Sequence, residues 1–170
     1  ETAMTYTLQK MIKDCRTALE KDTEAVGRHI VRKFVEKACM DNNFVSTYLG
    51  PDNKDPRKIL YEDKDFGFCI LAHVSKPETG LPHDHGPTWA IYGIAEGITE
   101  MTDWFCKERP KGRLPGKVHR VKSYCLPRGT AHLYNEGDLH SSRREKEVRM
   151  IRVEGINLLK VRRQKYQEAV

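Results

Sequence analysis

The sequence has few cysteines, and their placement excludes two common kinds of site. Five are scattered over the 170 residues, at Cys15, Cys39, Cys69, Cys106 and Cys125. An odd number without a Cys-x-x-Cys pair argues against a disulfide framework and against a zinc ribbon. We therefore expect reduced thiols, most of them buried.

Long hydrophobic runs are also lacking. No stretch approaches the roughly 18 uninterrupted apolar residues that a membrane span needs. The beginning of the sequence lacks a charged segment followed by an apolar run and a cleavage pattern. We therefore expect a soluble, cytoplasmic protein without a membrane partner.

Aromatic residues are sparse, and none is spaced through the basic segments that carry most of the formal net charge of +6, residues 107–122 and 160–165. A surface for single-stranded nucleic acid places aromatic stacking platforms among its basic residues, and no helix-turn-helix or zinc-finger spacing is present either. Solvated loop and helix faces account for these segments. We expect no nucleic-acid partner, and the positive balance favours small anionic ligands.

The first part of the chain has helical periodicity. Apolar residues recur three or four positions apart in two stretches, first at Leu8, Met11, Ile12, Cys15 and Leu19 and then at Val26, Ile30, Phe34 and Ala38. Asp22 or Thr23 is the expected cap between the two helices. We predict an N-terminal α-helical hairpin within residues 1–50, separated from the rest by the turn-forming sequence GPDNKDP.

After Lys58 the pattern changes to short β-rich runs separated by glycine and proline. The runs cover residues 59–61, 66–74, 88–94, 98–106, 117–125 and 148–153. Many short strands with closely spaced turn signals predict a mainly β barrel or sandwich rather than a parallel sheet with crossover helices. We predict a single domain, residues 1–170, with the β-barrel over residues 57–155 and a helical or extended tail over residues 156–170.

Two histidines stand one residue apart in the segment LPHDHGPTWAIYGIAEG, residues 81–97. On a strand, His83 and His85 would project to the same face while Asp84 points away, so the two imidazoles could share a metal ion. The best candidate for a third ligand is His132, in CLPRGTAHLYNEGD. Neutral imidazole suits iron, zinc, copper and nickel, and three ligands leave coordination positions open. For His73, His119 and His140 we expect surface or packing roles.

These segments resemble the two motifs of the cupin superfamily. In the first motif a glycine-led turn precedes His-x-His, a glutamate follows four or five residues later, and a glycine follows the glutamate; His83, His85 and Gly97 match this pattern. Pro127 and His132 resemble the second motif. The resemblance implies a double-stranded β-helix, or cupin jelly roll, with a metal in the mouth of the barrel, and it also implies a homodimer formed through β edges.

The position of the cupin glutamate is taken by Trp89 or Ala90. Archetypal cupins use three histidines and one glutamate, whereas the thiol dioxygenases, the group of cysteine dioxygenase and 3-mercaptopropionate dioxygenase, use three histidines around ferrous iron. The phrase PHDHGPTWAIYGIAEG is similar to their His-Asp-His strand. The resemblance implies a non-haem iron oxidoreductase, with Fe(II) as cofactor and Zn, Ni or Mn as alternatives, that acts with dioxygen on a small anionic thiol.

The resemblance also implies an arginine that pairs with the substrate carboxylate by a bidentate fork, for which Arg57 is the candidate. The Ser-x-His-x-Tyr triad of the group is missing from the corresponding strand, VRMIRVEG, and Ala90 stands near the position of the cross-linked cysteine of the animal enzymes. On that strand, Arg149 or Arg152 facing inward would suit an anionic ligand.

Two aromatic residues are further candidates for the site. Tyr134, two residues after His132, should face the same way and could donate a proton or a hydrogen bond near the metal. Trp89 could wall a substrate pocket. The alternatives to an oxygenase are a non-catalytic metal-containing cupin that binds a small carboxylate or sugar-like ligand, and a metal-dependent isomerase or hydrolase that uses Tyr134 or Glu96 as acid or base.

Overall fold

The structure, a computed structural model, describes residues 5–170; the first four residues of the predicted helical part lie outside the described residues. The helices are α1 (Leu8–Lys21), α2 (Ala25–Met40) and α3 (Asn42–Leu49). The contacts between α1 and α2 confirm the predicted helical hairpin. The carboxylate of Asp22 accepts hydrogen bonds from the N–H groups of Val26 and Gly27 at 3.0 and 3.2 Å, and so it caps the start of α2 as expected.

Ten strands follow the helices. They are β1 (Lys58–Glu62), β2 (Cys69–Ser75), β3 (Glu78–Thr79), β4 (Ala90–Glu96), β5 (Ile98–Glu108), β6 (Gly116–Pro127), β7 (Ala131–Tyr134), β8 (His140–Arg144), β9 (Val148–Glu154) and β10 (Tyr166–Glu168). Each of the six predicted β-rich runs overlaps one of them, namely β1, β2, β4, β5, β6 or β9. Helix α3 and strands β3, β7, β8 and β10 lie outside the predicted helices and β-rich runs.

The strands form two five-stranded sheets. The first has the order β1-β2-β9-β4-β7, and the second has the order β10-β6-β5-β8-β3. All the pairs are antiparallel except β10 with β6. Side chains from the inner faces of both sheets form one buried cluster: Ala90, Tyr92, Ile94, Met101, Leu126, Tyr134, Val148 and Met150. The two sheets therefore face each other as a double-stranded β-helix, and the predicted fold class is confirmed.

The helices cover the outer face of the first sheet. Alternate strand residues such as Ile70, Ile91 and Ile151 point away from the barrel interior and pack with the apolar sides of the three helices in the largest buried cluster. Alternation along the strands therefore separates a helix-facing apolar layer from an inner layer in which polar residues can be placed. Among residues 5–170, no helix combines the length and the apolar character needed to cross a membrane.

The five cysteines are free, as expected from their spacing. Cys15, Cys39 and Cys69 are buried, Cys106 is partly buried and Cys125 is exposed. Burial raises the pKa of Cys15 and of Cys39 to about 12, so both thiols stay protonated at neutral pH. These side chains act as small apolar residues of the core.

Candidate metal centre

Three histidines meet at one end of the barrel. One ring nitrogen from each of His83, His85 and His140 lies within 4.8 Å of the others. His83 and His140 are also joined through the backbone, because the N–H of each donates to the C=O of the other at 2.9 Å. This bridge connects the segment before β4 to the start of β8, and it brings together two residues that are distant in sequence.

Backbone carbonyls orient two of the three imidazole rings. Nδ1 of His83 lies 2.9 Å from the carbonyl oxygen of Leu81, and Nδ1 of His140 lies 2.8 Å from that of Asp138. A carbonyl oxygen can only accept, so each Nδ1 carries the proton. The unprotonated Nε2 of each ring is then the nitrogen available to a metal.

The surroundings keep all three imidazoles neutral. His85 and His140 are fully buried and His83 is half-buried. Burial lowers the pKa of each of the three, and the positive charge of Arg152 lowers it further. Neutral imidazole is the form that binds metal ions, so no proton has to be displaced from the ligand nitrogens at neutral pH.

The donor set fits a transition-metal ion. Nδ1 of His85 is buried and has no hydrogen-bond partner among the described residues. No carboxylate joins the group within residues 5–170; the nearby Asp84 accepts a hydrogen bond from the N–H of Gly86 at 3.0 Å. Three neutral imidazoles suit iron, zinc or nickel and leave other coordination positions open. The protein therefore has a three-histidine site that could bind a metal.

The predicted third ligand, His132, is corrected to His140. His132 lies on β7 directly opposite Tyr92, and its half-buried ring packs against Tyr134 and Tyr124 at centroid distances of 4.6 and 5.3 Å. The Tyr134 ring also stacks on His140, at 3.9 Å. Contact with these two tyrosines holds the His132 ring outside the group formed by the other histidines.

His140 was missed because its strand lacks an apolar pattern. Strand β8 reads HSSRR. Of its alternate residues, His140 belongs to the histidine group, and Ser142 and Arg144 line the adjacent cavity. The one signal that could have found it is this period of two in polar residues, which places a histidine and an arginine on the same face.

Two tyrosines contact the histidines. The hydroxyl of Tyr92, on the inner face of β4, lies 2.7 Å from Nε2 of His85 and 3.2 Å from Nε2 of His140. Tyr134 stacks on His140 with an interplanar angle of 19°. Its hydroxyl is paired with that of Tyr124 at 2.7 Å, and Tyr124 donates to the Asp103 carboxylate at 2.8 Å. The Tyr134 hydroxyl is thus directed away from the histidines, and its catalytic role stays a prediction.

A small polar cavity of about 190 Å³ opens beside His83. Two arginines line it, Arg144 from β8 and Arg152 from β9, and the Arg152 guanidinium lies over the Tyr92 ring at 4.3 Å. Three buried polar atoms at its wall have no hydrogen-bond partner within the described chain: Nε of Arg152, Nε2 of His73 and Oγ1 of Thr99. Unpaired buried polar atoms of this kind favour a polar or anionic ligand.

The predicted role of Arg57 is corrected. Its two Nη atoms form a fork on the buried carboxylate of Glu154, at 2.8 and 2.7 Å, and one of them also donates to Asn157 at 3.0 Å. This fork is therefore already filled by a protein carboxylate. Glu154 also pairs with Arg152 at 3.0 Å, so Arg57 contacts the cavity wall only through Glu154, and Arg144 and Arg152 are the arginines that line the cavity.

Trp89 does not line the cavity, which corrects its predicted role. The indole packs in the cluster between the helices and the first sheet, and the Arg28 guanidinium lies 5.3 Å from the ring centre. Arg149 also points out of the barrel, where it donates to the carbonyls of Leu49, Gly50 and Asn53 at 2.7–3.1 Å. The side chain of Glu96 is 69% exposed and faces Arg149, so it is placed for neither acid nor base chemistry at the histidines.

No protein-family model and no curated protein matches the sequence. Among solved structures, a cupin-2 domain containing protein from Shewanella frigidimarina matches with a TM-score of 0.46 and 12% identity, covering 69% of this chain and 95% of that one. A conserved protein with a double-stranded β-helix domain from Klebsiella pneumoniae matches with a TM-score of 0.45 and 15% identity, over 65% of this chain and 80% of that one.

The cupin domain of Cnp3 from Schizosaccharomyces pombe is similar to this chain with a TM-score of 0.44 and 10% identity, over 61% of this chain and 66% of that one. The names of all three neighbours refer to the cupin domain or to the double-stranded β-helix. The same fold follows for this chain from its own strand order and pairing and from the buried cluster that the inner faces of the two sheets share.

Proposed function

We propose that this protein is a non-haem iron enzyme of the thiol dioxygenase type, which oxidises a small anionic thiol with dioxygen. The observation that carries the proposal is the pairing of three neutral histidines, without a carboxylate in the group, with a small cavity that presents two arginines. A ferrous ion bound by His83, His85 and His140 would supply open positions for a thiolate and for dioxygen.

The cavity supports the choice of a small anion. Its volume of about 190 Å³ is below the roughly 300–1,000 Å³ of pockets for drug-sized ligands. Arg144 donates to Ser142 Oγ at 2.9 Å, and the nearest carboxylate oxygen, on Glu78, is 3.9 Å away. Its positive charge is therefore only partly compensated by the protein, and a substrate carboxylate would complete the pairing.

Oxygen uptake by the iron-loaded protein tests the reaction. After anaerobic loading with ferrous iron, we expect cysteine or 3-mercaptopropionate to stimulate oxygen consumption, with thiol consumed in step, and the thiols without a carboxylate, cysteamine and 2-mercaptoethanol, to stimulate it much less. Arg144→Gln should raise KM for the acidic thiols at least about ten-fold, because a charge-assisted hydrogen bond is worth about 1.5–3 kcal/mol. The proposed activity is excluded if no thiol increases oxygen consumption.

The third histidine is tested by metal content. The variant His140→Ala should lose most of the bound metal under conditions in which His132→Ala retains it, because only His140 belongs to the group. Elemental analysis after dialysis measures both. Metal loss in His132→Ala with retention in His140→Ala would contradict the assignment of the ligands.

The second candidate is a metal-containing cupin that binds a small carboxylate without oxidising it. The three unpaired polar atoms at the cavity wall favour it, because they could form hydrogen bonds with a bound carboxylate whether or not the metal is redox-active. Zinc or nickel in the purified protein, with carboxylate binding and no oxygen consumption, would favour this candidate over the oxygenase.

A further inference from the structure

We propose that Tyr92 is a fourth protein ligand of the metal, bound through its phenolate oxygen. The proposal rests on the three-histidine metal site and adds a donor that lies outside the histidine group. It assigns to this side chain the anionic donor that the three imidazoles do not supply.

The distances around the Tyr92 hydroxyl are those of neighbouring ligands. Two donors about 2.0–2.1 Å from one ion, at angles of about 90–110°, are about 2.9–3.4 Å from each other. The hydroxyl oxygen lies 2.7 Å from Nε2 of His85 and 3.2 Å from Nε2 of His140. An ion bound by Nε2 of His85 and Nε2 of His140 would therefore lie within reach of this oxygen.

The position of Tyr92 on β4 explains why a tyrosine can take this role. Ala90 occupies the place at which the first cupin motif has a glutamate, and its side chain is too short to reach the ion. Tyr92 is two residues further along the same inner face. The tyrosine side chain is long enough to reach the histidines from this position, and its hydroxyl contacts the rings of His85 and His140.

A phenolate at Tyr92 would lie beside a positive charge. The Arg152 guanidinium lies over the ring at 4.3 Å, and the described chain places no carboxylate in the histidine group to compete for the ion. On binding, the phenolic O–H bond breaks, the proton passes to solvent and the oxygen-metal bond forms without transfer of an electron. One anionic donor lowers the net charge of a divalent centre to about +1.

A ferric form of the protein tests the proposal by a signal independent of turnover. Protein loaded anaerobically with one equivalent of ferrous iron, oxidised with ferricyanide and desalted should show a visible phenolate-to-iron charge-transfer band. Resonance Raman excitation in that band should show the ring modes of a metal-bound phenolate. In Tyr92→Phe the band should be absent, and ferrous affinity should fall at least about ten-fold, the lower end of the loss seen when a supporting residue of a metal site is removed.

The matched control is Tyr134→Phe, because the ring of this buried tyrosine stacks on His140 while its hydroxyl is paired with Tyr124. This variant should keep the band. Iron bound in stoichiometric amount without a band, or with a band that survives in Tyr92→Phe, overturns the ligation and leaves the three-histidine site intact. Failure of the protein to bind iron at all overturns this ligation, and the proposed iron enzyme with it.

Discussion

Glu154 lies between two arginines inside the barrel. Its side chain is fully buried and pairs with Arg57 on one side and with Arg152 on the other. Hydrogen bonds from Arg57 and the charge of Arg152 keep the pKa of Glu154 below its usual value in spite of burial, so the carboxylate is ionised at neutral pH. A single carboxylate thus holds Arg152 in place over Tyr92 and beside the cavity.

Removal of this charge should destabilise the protein strongly. Glu154→Gln leaves two largely buried guanidinium groups without their shared anion, and breaking a buried pair in this way costs about 3–5 kcal/mol. Urea unfolding of the metal-free protein measures the change. The control is Glu62→Gln, whose pair with Lys160 is exposed and should contribute little, because solvent screens such a pair. Similar losses in the two variants would contradict the role of Glu154.

At the scale of the elements, the sequence predicted strands where apolar residues alternate and failed where polar residues replace them. Strands β2, β4 and β9 were predicted because their helix-facing residues are apolar. Strand β8 was not, because its inward positions hold His140, Ser142 and Arg144. The pattern that defines a strand is lost at the positions where the strand forms the site, so the third histidine could not be chosen without its spatial neighbours.

The roles of Arg57 and Trp89 show a second limit of the sequence. Both residues were predicted for a site with an arginine and an aromatic wall, but the sequence does not contain the identity of their contacts. Arg57 faces a carboxylate from a strand almost a hundred positions away, and Trp89 faces a helix. Which of several arginines is free for a ligand is a property of the folded interior.

Helix α2 approaches β4 closely at Gly93. A Cβ atom at this position would lie 2.9 Å from Sγ of Cys39 and 3.1 Å from the carbonyl oxygen of Ile151, and closer still to Val35. We expect Gly93→Ala to lower the free energy of unfolding by about 1–3 kcal/mol through overpacking. The double variant Val35→Ala/Gly93→Ala should lose less than the sum of the two single losses, because Val35→Ala removes the closest clash. Strict additivity in urea unfolding would exclude this steric explanation.

At the scale of the whole molecule, stability should depend on pH through buried histidines. Burial, and the nearby charges of Arg152, Arg57 and Arg144, hold the pKa of His73 well below its usual value of about 6.5. The unfolded chain binds a proton near that pH that the folded chain cannot bind. The contribution of neutral His73 to the free energy of unfolding is therefore complete above about pH 6.5, and it is lost as the pH falls below that value.

The variant His73→Gln isolates this effect in the metal-free protein. Between about pH 7.5 and about pH 5, its free energy of unfolding should fall less steeply than that of the unmodified protein, by up to about 1.4 kcal/mol per pH unit for one proton. The control is His119→Gln, which removes an exposed imidazole from β6; the same change of slope in both variants would show that the effect is not specific to His73. Equal slopes in the His73→Gln variant and the unmodified protein would show that His73 does not couple folding to pH.

The backbone bridge between His83 and His140 also bears on the order of events during folding. Their mutual hydrogen bonds form only when the segment before β4 has met the start of β8, a closure between distant parts of the chain that is slow relative to local pairing. The nitrogens of the site are scattered until that moment. We therefore expect metal binding to be a late kinetic step in refolding. The rate of metal binding would then report the rate at which the barrel closes.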